Sequence, residues 1–162
     1  MKRIFHQFSA LLLVFLVAPW PQAYAQAPEQ GAPLNTFAWD TLEIVTESGR
    51  RHPFRVEMAI TPSQQAQGLQ WRKVLADDAG MLFDFGASKP TAFWMLNTYL
   101  SLDMIFIASG GKIDKIARAT KPLSLAAIAS DGPVRAVLEV RAGTAARLGI
   151  QPGDRVEHRI FH

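Results

Sequence analysis

Cysteine is absent from the 162 residues, which removes disulfide frameworks, thiol nucleophiles, iron–sulfur clusters and thiolate zinc sites from consideration. A large excess of either charge is also missing, since 17 Lys and Arg stand against 14 Asp and Glu, for a net charge of +3. The apolar run near the start, Phe8 to Ala18, is well short of the roughly 20 residues that a membrane-spanning helix requires. What remains is 49% hydrophobic and 19% charged, a profile of one globular domain that excludes a disordered, collagenous or coiled-coil chain.

That apolar run follows Lys2 and Arg3 and leads to Ala23-Tyr24-Ala25. A positive end, a short apolar segment and small residues at positions −3 and −1 form the pattern of a secretory signal peptide, so residues 1–25 are expected to be removed after Ala25. A lipid anchor would need a cysteine at the new N-terminus. Residues 26–162 then hold 15 basic and 14 acidic residues, too balanced to attract nucleic-acid phosphates. The expected product is exported, periplasmic in a Gram-negative cell and otherwise secreted, with no membrane span left after cleavage.

Residues 26–35 (QAPEQGAPLN) are polar and rich in proline, so a flexible tether is expected ahead of a single domain at 36–162. Thr41–Thr46 and Phe54–Ile60 read as a hairpin turned at Ser48-Gly49. Thr61-Pro62-Ser63-Gln64 supplies an N-cap, a proline in the first turn and a glutamine three residues after the cap. With Gly68 as a stop, it predicts a helix of about two turns. Further strands are expected at Met81–Phe85, Thr91–Met95, Leu102–Ile107, Lys112–Ala117, Val134–Val140 and Arg155–Phe161, and a short helix between Gly143 and Gly149. Short strands without long intervening helices predict a mainly β (α+β), compact β-barrel-like domain with two short helices.

Three segments stand out as a set: Gly68-Leu69-Gln70-Trp71-Arg72, Gly80 to Phe85, and Phe93 to Ile107. With Pro133-Val134, Val137-Leu138-Glu139 and Gly149 to Asp154, they resemble the domain of unknown function 192 family. The resemblance implies a small, often exported barrel-like β domain with no agreed activity. The chain departs from the family pattern at Leu96, where lysine is usual, at Ser101, where proline is, and at Gln70, where methionine is. If that lysine carries anion binding elsewhere in the family, this chain has lost it. The turn Leu148 to Val156 is also similar to one in swapped-hairpin transcription-factor barrels, although the export signal and balanced charge argue against DNA binding.

The candidate site is Arg72, Trp94, Asn97, Thr98 and Asp103. Asn97-Thr98 falls between two apolar segments where the chain must turn, and polar loop groups held by rigid strands are a common way to build a site. Trp94 could stack on a ligand while Arg72 forks onto a carboxylate or phosphate, so the ligand class is a small polar molecule: a sugar, a carboxylate or a phosphate. The plainer alternative has Asn97 and Thr98 bonding turn amides, Asp103 pairing with Arg72, and Trp94 in the core with Phe83, Phe85, Phe93, Tyr99 and Phe106.

Nothing in the sequence calls for a cofactor. His52 reads as a solvated loop histidine. His158 and His162 lie on an expected strand, where four residues span roughly 13 Å, so no metal site is assigned. Asp77, Asp78 and Asp84 lack the spacing of a calcium loop. Glu57 and Glu139 either face solvent or meet across the sheet. Three readings stay open: a non-catalytic ligand-binding or envelope-associated module, a hydrolase-type enzyme using Asp103 or Glu139 as general base, and a scaffold that binds partners.

Overall fold

The computed structural model describes residues 34–162, so the expected export signal and nearly all of the expected tether lie outside the described residues. Asn35, the last tether residue, is anchored: its main-chain N–H donates to Gln67 Oε1 at 2.6 Å and its amide to the Ser63 carbonyl at 3.1 Å.

Strands β1 (Ala38–Val45) and β2 (Arg51–Ala59) form the expected hairpin, paired from Ala38 opposite Met58 to Val45 opposite Arg51. Gly49 makes its turn at φ 80°, a conformation that costs glycine little. Helix α1 (Pro62–Gln67) begins in a capping box, with the Thr61 hydroxyl accepting from the Gln64 main-chain N–H and the Gln64 side chain accepting from Thr61. Strand β3 (Ala79–Lys89) pairs with β2 in parallel, which requires a crossover, and α1 with residues 68–78 supplies it.

The remaining strands are β4 (Ala92–Phe93), β5 (Leu102–Ile107), β6 (Ile113–Ala117), β7 (Ile128–Ala129), β8 (Val134–Arg141) and, after helix α2 (Thr144–Leu148), β9 (Arg155–Glu157). The main sheet has seven strands in the order β6-β5-β8-β3-β2-β1-β9. Its two ends nearly meet: Ile113 N–H donates to the Asp154 carbonyl at 2.8 Å and Val156 N–H to the Gly111 carbonyl at 2.7 Å. The result is mainly β, a nearly closed barrel-shaped sheet with two short helices among the described residues.

Two expected strands are shorter than the apolar pattern suggests. Thr91–Met95 contributes only the two-residue β4, paired with β7, because Met95 donates its N–H to the Ser124 carbonyl and packs its side chain from a loop. Arg155–Phe161 stops pairing at Glu157, where His158 Nδ1 accepts the Ile160 N–H and opens a short 3-10 turn at Arg159–Phe161. His158 and His162 therefore flank a turn and not a run of strand. His52 is no loop residue either; it sits in β2 opposite Ile44.

Alternation along the strands divides the apolar side chains between two clusters. Leu42, Ile44, Phe54, Val56, Met58, Leu82, Ile105, Leu138, Val140 and Val156 fill the barrel interior, closed at one end by Ala145 of α2. Met81, Phe83, Met104, Phe106 and Val137 lie on the opposite face, under Leu69 from the crossover and Met95 from the loop after β4.

Candidate functional site

The crossover and the β4–β5 loop bring four of the five expected residues to the outer face. Arg72 Nη2 contacts both oxygens of Glu57, at 2.8 and 2.9 Å. Trp94 is 49% exposed and Tyr99 is equally open, so these two rings are not in the core, whereas Phe93 packs edge-on to Phe83 at 5.0 Å and to Phe106 at 6.3 Å. Thr98 is buried, and its hydroxyl donates to the Leu96 carbonyl. Asn97 reaches Gln70 Oε1 with its amide at 3.4 Å, a long bond that leaves it loosely held.

Asp103 is the residue that does not join them. It lies opposite Val140, an interior residue, while its neighbour Met104 lies opposite Glu139 on the outer face. Its carboxylate is almost wholly buried and accepts the Ala119 and Ala145 N–H groups, each at 2.9 Å. The expected Arg72–Asp103 pairing is thus replaced by Arg72–Glu57, because one step along a strand moves a side chain through the sheet.

Register also settles how the two strand glutamates are related. Glu57, Met81, Glu139 and Met104 occupy successive positions across β2, β3, β8 and β5, in a row on one face. Glu57 and Glu139 therefore do not meet; Met81 separates them. Glu139 is 4% exposed, and desolvation pushes its carboxyl up to about 8, with no hydrogen bond among the described residues to offset the burial. Its two register neighbours pack in the same cluster as Leu69 and Met95, so the crossover and the loop after β4 cover this row.

Two of the four non-glycine residues with positive φ among the described residues lie where those two coverings touch, the others being Ala119 and Leu123. Trp71 has φ 61° and Asn97 φ 53°, and the Trp71 N–H donates to the Asn97 carbonyl at 2.8 Å. Asparagine visits this region readily, but a tryptophan there is an outlier costing of order 1–3 kcal/mol, held only by surrounding structure. Trp71 is itself solvent-exposed. It was not among the expected site residues, because no local signal in the sequence marks a left-handed tryptophan. Among the described residues, no group of three or more histidine, aspartate and glutamate side chains is placed to hold a metal ion.

Residues 43–158 match the model of the DUF192 family, described as an uncharacterized ACR. The chain belongs to this family. Among solved structures, it is similar to a candidate transcription regulator from Sinorhizobium meliloti 1021, at 50% identity over 77% of this chain and 97% of that one, with a TM-score of 0.75. It is also similar to a protein of unknown function from Novosphingobium aromaticivorans DSM 12444, at 40% identity over 78% of this chain and 89% of that one, with a TM-score of 0.74. No curated protein matches the chain. The family description and these two structures assign no chemistry to this DUF192 domain.

Proposed function

We propose that this DUF192 domain is an exported binding module for a small polar ligand, seated where Trp71, Trp94, Asn97 and Thr98 cover the outer face above Glu139. The observation that carries the reading is Glu139, a deeply buried carboxyl with no hydrogen-bond partner among the described residues, on the face that the crossover and the loop after β4 cover. A buried acid of this kind destabilises the fold, and perturbed groups cluster at functional sites. Arg72 is already occupied by Glu57, so an anion would have to compete with a carboxylate. A largely protonated carboxyl, a side-chain amide and exposed indole faces suit a neutral hydroxyl-rich ligand such as a sugar. Asp103 acts from the other face as a positioning residue, tying α2 to β5 through Ala145.

The test is a thermal-shift and calorimetric screen of the full chain with envelope sugars, carboxylates and phosphates. A sugar response lost in W94A and E139Q supports the reading. A response to none of the three classes overturns it, and would direct attention to Trp71, Trp94 and Tyr99 as a surface for a protein partner. Export rests on the pattern at residues 1–25 and is tested by fractionating cells that express the full chain; retention in the cytoplasm overturns it.

A second reading, hydrolysis with Glu139 as a general acid, is favoured by the same raised pKa, since an acid protonated near pH 7 is poised to donate. Asp103 is a poor general base because both of its oxygens already hold main-chain amides. Turnover of a glycoside that E139Q abolishes would favour this second reading. DNA binding, suggested by the description of one solved relative, finds little support in a net charge of +1 over residues 26–162.

A further inference from the structure

A different part of the molecule holds a second set of unused polar groups. The end of the barrel formed by the start of β2, the loop at Asp77-Asp78 and α2 carries an open surface depression of about 230 Å³. Its lining is His52, Pro53, Phe54, Asp77, Asp78, Arg147 and Leu148, and none of the outer-face residues contributes to it. His52 lies opposite Ile44 of the interior cluster, so strand alternation directs its ring inward at this end. Its Nε2 is buried and makes no hydrogen bond. A buried ring nitrogen without a partner is uncommon and calls for an explanation.

The rim charges are only partly used. Asp77 is bound to Arg141 at 2.8 Å. Among the described residues Arg147 makes one long side-chain contact, from Nη2 to the Asp77 carbonyl at 3.4 Å, which leaves most of its guanidinium donors without a partner there. The Asp78 carboxylate has no hydrogen-bond or ion-pair partner among the described residues, its residue being held through its main-chain carbonyl by the Arg55 N–H. Phe54 and Leu148 supply apolar wall. α2, which carries Arg147, is tied to the barrel by the Asp103 carboxylate through Ala145 N–H, so the guanidinium sits on a fixed element.

We propose that this depression, at the end of the barrel that α2 closes, is a binding site for a small zwitterion, a molecule with a carboxylate and an ammonium group such as a free amino acid. Arg147 takes the carboxylate and Asp78 takes the ammonium, with the His52 ring forming part of the wall. A simple anion would meet Asp77 and Asp78 at the rim, and a simple cation would meet Arg147; a ligand of both charges satisfies each. The volume lies below the roughly 300 Å³ at which sites for drug-sized ligands begin, which suits a ligand of few atoms.

The experiment follows the His52 imidazole resonances of the full chain by NMR during titration with L-alanine, with acetate and methylamine as single-charge controls. The expected result is a saturable His52 shift with L-alanine at millimolar concentration, and binding at least about tenfold weaker for each control. R147Q and D78N, both at exposed positions, each weaken L-alanine binding by about tenfold or more, while W94A leaves it unchanged. An unmoved His52 signal overturns the site, and equal binding of acetate or methylamine overturns the zwitterion assignment. Loss of the L-alanine response in W94A would also overturn it, by placing the ligand at the outer face.

Discussion

Trp71 and Asn97, 26 positions apart, are joined by a 2.8 Å hydrogen bond from one left-handed residue to another. The bond ties the β2–β3 crossover to the corner before β5. At Asn97, replacement by glycine should change stability by less than about 1 kcal/mol, because glycine adopts this φ freely. Replacement by valine should cost about 1–3 kcal/mol, since a branched Cβ is strained there. Urea denaturation of the two variants checks the difference.

Glu139 sets a pH dependence. Its folded carboxyl sits near 8 against an ordinary 4.5, so the unfolded chain loses its proton first as pH rises. Stability is then level below about pH 4.5, falls between there and about 8, and levels again above. Over the interval from 4.5 to 7 the loss is about 3 kcal/mol. E139Q should remove most of that slope and melt higher than the parent at pH 7, which thermal denaturation across the pH range reads directly. An unchanged slope in E139Q would refute the assignment.

Asp103 predicts the opposite kind of mutant. D103N leaves a single side-chain acceptor for the Ala119 and Ala145 amides, and one of those buried N–H groups goes unpaired. The expected cost is about 2 kcal/mol, with α2 losing amide protection in hydrogen exchange before the strands do. Equal loss across the whole barrel would argue against a local tie.

The barrel seam depends on Gly111. It has φ 82°, and a Cβ there would come within 2.5 Å of the Val156 carbonyl oxygen, the backbone of the opposing edge. G111A should therefore cost at least about 2 kcal/mol by forcing β6 and β9 apart, whereas G110A, with open space at its Cβ, should cost little. Chemical denaturation of the pair gives the comparison.

Local chemistry was legible in the residues themselves. Thr61, Pro62 and Gln64 specify the start of α1, because a capping box is written in adjacent side chains and their own amides. The hairpin at Gly49, the strand at Leu102–Ile107 and the short helix ahead of Gly149 follow from turn chemistry and alternation in the same way. Apolar pattern alone overstated β4 and β9, since it reports burial and not pairing.

The site is a matter of register. Sequence brought forward Arg72, Trp94, Asn97, Thr98 and Asp103 as one site, and it offered Asp103 or Glu139 as the general base of an enzyme. Pairing between β5 and β8 turned Asp103 toward the interior and Glu139 toward the outer face, and pairing of β2 with β3 placed Glu57, not Asp103, beneath Arg72. Hydrogen bonds within a few residues are encoded by neighbours along the chain, and so could be read from it. Which acid shares a face with which cation depends on strands joined across dozens of residues, where a slip of one position moves every side chain to the other side.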